Sequence, residues 1–145
     1  MIAFIEGGLR RKTPTEVWVD CNGVGYSLKI SVNTFTNLPD EGKVSLFTHL
    51  HVREDAQILY GFETEEEKEV FLKLISVSGV GASTAMLVLS GMQVQDVIDT
   101  IRAEDVSTLK RIKGIGAKTA ERIIVDLKDK LLISIDNTND LATVS

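Results

Sequence analysis

The pattern of hydrophobic and polar positions divides the chain into two parts. Up to about residue 62, apolar positions alternate with polar ones, as in "EVWVDC", where Val17 and Val19 share one face and Trp18 and Asp20 the other. This period of two is typical of half-buried strands. The segments "MIAFIEGGL", "EVWVDC", "GYSLKI", "KVSLFTHLHV" and "QILYGF" supply about five strands. A short helix or turn is expected at "NTFTNLPD".

These strands favour a small closed barrel. The segment "NGVG" at residues 22–25 is a turn signal that joins the second strand to the third. Five short strands in an open sheet would leave unpaired edges, and closure removes those edges. The sequence therefore predicts a five-stranded barrel of the OB type over residues 1–62.

After Phe62 the hydrophobic period becomes helical. Thr64 and Glu67 match a capping box, and we expect the acidic run "ETEEEKE" to open a helix on a solvated face. Further helices are predicted at residues 82–90, 93–102, 104–111 and 117–131. The buried face predicted for the last helix consists of Ala120, Ile123, Ile124, Leu127 and Leu131.

The resulting architecture is α+β, with the barrel followed by an all-α domain over residues 63–132. From residue 133 the sequence "ISIDNTNDLATVS" loses its periodicity and becomes polar. Residues 133–145 are therefore predicted to begin a flexible linker.

A glycine turn occurs twice in the helical part. "SGVGASTAML" begins at Ser78 and "KGIGAKTAER" begins at Lys113, an offset of 35 residues. Such an internal repeat is typical of a duplicated helix–turn–helix unit. Glycines permit a positive φ and a close approach of the backbone to a ligand. We expect Val80 and Ile115, between the glycines, to anchor each turn in the core.

Each turn leads directly into a helix, whose first free N–H groups form an anion site together with the helix dipole. Lys113, Lys118 and Arg122 add full charges at the second turn, so we expect the first turn to hold phosphate more weakly. Contacts of this kind position a DNA backbone without reading its bases. The residues predicted to bind phosphate are Gly79, Gly81, Ser83, Thr84, Lys113, Gly114, Gly116, Lys118, Thr119 and Arg122.

The charge distribution is compatible with a DNA partner. The chain has 145 residues and a formal net charge of -5. Between Val106 and Leu131, however, seven Lys or Arg residues stand against three acidic ones. A local basic patch matters more for phosphate contact than the net charge does.

Other features of the composition predict few special sites. Cys21 is the single cysteine, so an internal disulfide or a Cys-rich metal site is excluded. His49 and His51 alternate on a strand without a third ligand, and we interpret them as ordinary strand residues. No Gly-Lys-Ser/Thr phosphate loop is present, and we expect neither ATP hydrolysis nor a bound cofactor. No segment suggests a signal peptide or a membrane span, so we expect a cytoplasmic protein.

The glycine turns resemble those of helix-hairpin-helix DNA-backbone binders. The whole arrangement, with a barrel followed by two hairpins, resembles the RuvA family of Holliday-junction-binding proteins. The resemblance is carried by "GVGYSLKISVNTF", "FTHLHVREDAQILYGF", "GVGASTAMLVLSGM" and "KGIGAKTAERIIVDLKDKL". Hairpins of this kind often have proline before the first glycine, where this chain has Ser78 and Lys113.

The resemblance implies a homotetramer that lies on an open four-way DNA junction, alone or as a pair of tetramers. It implies an acidic pin at Glu54 and Asp55, where clustered carboxylates near the fourfold axis would repel phosphates. It also implies a third, C-terminal domain that binds the ATPase RuvB and is absent from this sequence. Coupling to that motor is therefore not expected of the chain itself.

Two other functions remain open from the sequence. Some base-excision glycosylases use a helix-hairpin-helix with a nearby Lys or Asp, and Asp126 or Asp129 could be proposed as catalytic. Both fall on the charged side of the last predicted helix, and the helical part is small for a base-flipping pocket. Alternatively, the protein could be an oligomeric scaffold that binds no DNA, in which the glycine hairpins are purely structural turns.

Overall fold

A computed structural model describes the backbone of residues 1–144 and the side chains of residues 1–131. The chain forms two compact units, Met1–Glu69 and Val70–Ser145. The first contains β1 (Phe4–Lys12), β2 (Glu16–Cys21), β3 (Val24–Lys29), α1 (Val32–Asn37), β4 (Lys43–Val52) and β5 (Gln57–Phe62). Helix α2 (Glu65–Ile75) spans the division, and the second unit continues with α3 (Ala82–Gly91), α4 (Val94–Arg102), α5 (Val106–Lys110) and α6 (Ala117–Val144).

The five strands form a closed barrel in the order β1-β2-β3-β5-β4, which confirms the predicted barrel and the α+β class. β1 closes the barrel by pairing antiparallel with both β2 and β4, and β3 pairs parallel with β5. Closure leaves no strand at a free sheet edge, which is how small β-proteins avoid unwanted pairing.

The alternating residues of the strands build the barrel core. Val17, Val19 and Leu28 are fully buried, whereas Trp18 is 43% exposed on the opposite face of β2. The alternation fails at the end of β4, where Val52 is 64% exposed. Val52 is the last residue of its strand, and it directly precedes the turn of residues 53–56.

The turn between β2 and β3 has the geometry that its sequence demands. Asn22 and Gly23 both take positive φ, 55° and 94°, as in the type I′ turns that suit two-residue hairpins. The backbone N–H of Gly23 donates to Asp20 Oδ1 at 2.7 Å. Hydrogen bonds from Arg10 and from this N–H lower the pKa of Asp20. The turn therefore fixes the register of β2 against β3.

Glu67 differs from the sequence prediction, which placed the whole acidic run on a solvated face. Its backbone N–H donates to Thr64 Oγ1 at 3.1 Å, as a capping box requires. Its side chain, however, is only 2% exposed and accepts hydrogen bonds from the hydroxyl groups of Ser31 and Thr34. Burial raises the pKa of Glu67 despite these two bonds. A buried carboxylate thus joins α1 to the first turn of α2.

The second unit buries the face predicted for the last helix, from Ala120 to Leu131 of α6. Phe71 and Leu74 of α2 are also buried. The α6 backbone continues to Val144, beyond the predicted end at 131 and into the predicted linker. Residues 132–144 contain no Gly or Pro to interrupt a helix. Ser145 lies outside the described residues. Within the described part, no helix combines the length and apolar composition needed to cross a bilayer.

We expect Glu67→Gln to change the pH dependence of stability. Because burial raises the pKa of Glu67, the folded protein favours the neutral side chain. The resulting contribution to the unfolding free energy is complete below 4.5, the pKa of this group in the unfolded chain. That stability is lost as the pH rises through the folded value. Glutamine stays neutral, so the variant should gain stability relative to the parent protein as the pH increases from about 4 to about 8. Urea unfolding of both proteins across this range measures the difference, and parallel curves would contradict it.

Candidate nucleic-acid interface

The first glycine hairpin lies between α2 and α3. The backbone N–H of Val80 donates to the carbonyl of Val77 at 3.0 Å, which closes a tight turn. Gly79 has a φ of +86°, a conformation that residues with a Cβ rarely adopt. Val80 is 6% exposed and holds the turn against the core, as its position between the glycines predicts.

The second hairpin, between α5 and α6, repeats this geometry 35 residues later. The N–H of Ile115 donates to the carbonyl of Ile112, also at 3.0 Å. Gly114 has a φ of +94°, and Ile115 is 5% exposed. The two sequence repeats are therefore two structural repeats, each with one glycine at positive φ and one buried aliphatic anchor.

The second glycine of each pair has a different role. Gly81 has a φ of −89° and is the N-cap of α3 without a side-chain cap. Its carbonyl accepts the N–H of Ala85, and that of Gly116 accepts the N–H of Ala120, both at 3.0 Å. A Cβ at Gly81 or Gly116 would meet nothing within 4 Å. The expectation of positive φ therefore holds only for the first glycine, whereas the second leaves open space at the start of each helix.

The predicted phosphate-binding residues lie around these two helix starts. All four glycines are exposed, together with Ser83, Lys113 and Lys118, whereas Thr84 and Thr119 are half-buried. The first three N–H groups of α3 and of α6 have no acceptor within their own helix, because such bonds start at the fourth residue. Each hairpin thus presents backbone donors at an exposed surface, with the hydroxyls of Ser83 and Thr84 at α3 and Lys118 at α6.

The basic surplus concentrates at the second hairpin. Lys110 and Arg111 at the end of α5 are exposed, as is Lys113 at the turn itself. Lys128 lies 3.4 Å from Glu104 and so is partly neutralised. A phosphate at the start of α6 would meet Lys118 and the helix dipole, and Lys110, Arg111 and Lys113 are the other exposed cations of this segment.

Arg122 makes a contact that sequence spacing did not suggest. Its Nη1 atom donates to the carbonyl of Ser78 at 3.1 Å, although the two residues are 44 positions apart. The side chain thus extends from α6 to the first hairpin, whereas its place in the sequence predicts a role at the second. The offset of 35 makes Arg122 equivalent to Leu87 in the first repeat. This equivalence is the feature of the sequence that relates Arg122 to the first hairpin.

The predicted acidic pin occupies the tip of the β4–β5 hairpin. Arg53 and Ala56 close the turn with reciprocal backbone hydrogen bonds of 2.8 and 3.4 Å. Glu54 and Asp55 between them are both exposed. Asp55 Oδ1 lies 3.9 Å from Arg53 Nε, a distance at which an exposed pair interacts weakly. Two carboxylates therefore project from a short, well-closed turn.

Other candidate residues of the barrel have ordinary surroundings. His49 and His51 lie side by side on β4, with ring centroids 5.9 Å apart. Burial is the main cause that lowers the pKa of His49, and His51 adds to it. Among the described side chains, no three His, Cys, Asp or Glu groups converge as a metal site requires. The guanidinium of Arg11 lies 4.8 Å from the ring centroid of the exposed Trp18.

Comparison with known proteins gives matches along almost the whole chain. Residues 1–61 match the family described as RuvA N terminal domain, and residues 71–129 match the SAM-like Helix-hairpin-helix tandem. A relative from Christiangramia forsetii is 50% identical over 96% of this chain and 77% of its own length. Relatives from Flavobacterium psychrophilum and Janthinobacterium sp. are 51% and 48% identical, over 96% and 99% of this chain and 77% and 75% of their own lengths. All three are named Holliday junction branch migration complex subunit RuvA.

Alanine substitutions should separate the two glycines of the second hairpin. Gly114→Ala places a side chain at a φ of +94° with its Cβ 2.9 Å from Leu87, so we expect a loss of about 1–3 kcal/mol in unfolding free energy. Gly116→Ala meets open space and should change stability by no more than about 0.5 kcal/mol. Denaturant unfolding measures both, and an equal loss in the two variants would argue against the assigned geometry.

Proposed function

The chain belongs to the RuvA family, and from this premise we propose that it binds four-way DNA junctions as the recognition subunit of a branch-migration complex. The repeated hairpin is the observation that carries this proposal. Gly81 and Gly116 leave open space where two sets of free backbone donors begin. A sugar-phosphate backbone fits such a surface without any base contact, so recognition would follow DNA shape rather than sequence.

The proposed phosphate sites combine weak contacts. A single helix end contributes only about 0.3–1 kcal/mol toward an anion. Lys118 on α6 and the hydroxyls of Ser83 and Thr84 on α3 would add hydrogen bonds to the charged phosphate oxygens. In a homotetramer, many such contacts would act at once, and linked binding sites raise the overall affinity steeply. We propose that this repetition favours the four arms of a junction over one linear duplex.

We propose that the first unit supplies the subunit contacts of this tetramer. Phe4 on β1 and Phe47 on β4 are paired neighbours in the barrel wall, and they are 61% and 37% exposed. Adjacent exposed aromatics are costly in water and are typical of interaction surfaces. The assignment of oligomerisation to the barrel follows from this patch together with the family resemblance.

We propose a non-catalytic role for the chain. In the glycosylase alternative Asp126 or Asp129 would act, but α6 carries these residues about 15 and about 20 Å along its axis from Gly116. The relatives named as branch-migration subunits favour junction binding over that alternative and over a scaffold without DNA. ATP-driven movement would then come from a separate motor, RuvB, bound through the further domain that the family resemblance implies.

The direct test compares a four-way junction with a linear duplex of equal length at matched salt. We expect the junction to bind at least about tenfold more tightly, a difference of about 1.4 kcal/mol. Binding to both should weaken steeply with salt as counterions are released. Gel shift with light scattering measures affinity and assembly together. Equal affinity for both DNAs would contradict the proposal, and cleavage or base removal would favour the glycosylase alternative.

We further propose that Glu54 and Asp55 form the pin that repels phosphates near the junction centre. Neutralising both with Glu54→Gln and Asp55→Asn removes this repulsion. We expect the double variant to bind junctions about twofold to tenfold more tightly. A tenfold gain corresponds to about 1.4 kcal/mol of binding free energy. Its affinity for linear duplex, which has no crossover, serves as the control. Weaker junction binding by a folded double variant would refute a repulsive pin.

A further inference from the structure

Each glycine hairpin is contacted by a side chain that belongs to the other repeat. Arg122 and Leu87 hold equivalent positions, 35 residues apart, in the helices that follow the two hairpins. Arg122 Nη1 lies 3.0 Å from the position that a Cβ on Gly79 would occupy. Leu87 Cδ1 lies 2.9 Å from the corresponding position on Gly114. Each glycine at positive φ is therefore covered by a side chain from the other repeat.

This pair of contacts is chemically asymmetric. Leu87 gives the second hairpin an apolar cover, whereas Arg122 gives the first hairpin a guanidinium group. The first repeat, "SGVGASTAML", has no Lys or Arg of its own, and the second has Lys113 and Lys118 in addition to Arg122. The cation beside Gly79 therefore comes from the second repeat.

Arg122 can hold the first hairpin and still bind an anion. One N–H of its guanidinium donates to the Ser78 carbonyl at 3.1 Å. A guanidinium has five N–H donors, so this bond uses a small part of its capacity. The residue is exposed, and guanidinium geometry suits phosphate oxygens.

We infer that Arg122 is the phosphate-binding cation of the first hairpin, positioned there by its hydrogen bond to Ser78. The inference rests on the proposed junction-binding function and assigns a separate DNA phosphate to Arg122 and to Lys118. Arg122 binds a backbone phosphate at Gly79 and Gly81, while Lys118 binds a different phosphate at Gly114 and Gly116. The two hairpins then form two charged contacts rather than one strong and one uncharged contact.

The substitution Arg122→Leu tests this assignment, because it introduces the residue found at the equivalent position of the first repeat. Leucine retains an apolar cover over Gly79 but removes the charge. We expect junction affinity to fall about tenfold and the slope of log K against log salt to become shallower by about 0.9, the value for one phosphate contact. Arg122→Lys retains the charge and should keep most of the slope.

Lys130→Leu provides a matched control for lost charge. Lys130 is an exposed cation on the same helix, about 12 Å further along its axis. We expect it to change the salt slope by less than half as much as Arg122→Leu. Thermal unfolding of each variant checks that the fold is retained. A salt slope in folded Arg122→Leu equal to that of the parent protein would overturn the inference.

Junctions with single neutral methylphosphonates identify the phosphate of each cation. Neutralising the partner of Arg122 should weaken binding by the parent protein but not by Arg122→Leu. The same scan with Lys118→Ala should identify a second, separate phosphate. If Arg122 and Lys118 share one phosphate, the inference is wrong although junction binding stands. If the parent protein does not prefer junctions at all, the proposed function itself fails.

Discussion

The positive φ of Gly79 and Gly114 is the constraint on which the proposed interface depends. A side chain at either position would strain the turn, so the bend can be tight only because no Cβ is present. The buried Val80 and Ile115 then hold each bend against the core of the second unit. With the bend fixed, α3 and α6 begin at once, and their free N–H groups are presented at an exposed surface. Rigidity matters here because a phosphate contact of small free energy cannot also compensate for ordering a loose loop.

Duplication turns one such bend into a paired surface. Arg122 crosses to Gly79 and Leu87 crosses to Gly114, so neither hairpin is held by its own repeat alone. This reciprocal packing fixes the separation between the two sets of backbone donors. A fixed separation suits a ligand with regularly spaced charges, and a nucleic-acid backbone has that property. Because the backbone donors and the basic residues are concentrated locally, a chain with a net charge of -5 can have a DNA-binding surface.

In the first unit, some features follow from local sequence patterns and others depend on packing between distant residues. The sequence segments predicted for β2, β4 and β5 match the observed strands residue by residue, and in β2 a period of two leaves one register for the buried face. Glu67 did not follow its local pattern. Its backbone completes the cap with Thr64, as spacing predicts, but its carboxylate is buried among hydroxyls from α1. An acidic run looks solvated in sequence, and only packing against another element reveals which member is buried.

The sequence by itself determined the barrel strands, the repeated hairpins and the anchors between their glycines, because periodicity, turn chemistry and internal repetition are local properties of the chain. It also predicted the family to which the chain belongs. Only the tertiary structure decided that Arg122 contacts Ser78, 44 residues away, and that Glu67 bonds Ser31, 36 residues away. Such contacts depend on how distant helices pack, and spacing along one helix does not encode which neighbour a long side chain will meet. The contact of Arg122 with the first hairpin therefore required coordinates, although its position in the repeat was visible beforehand.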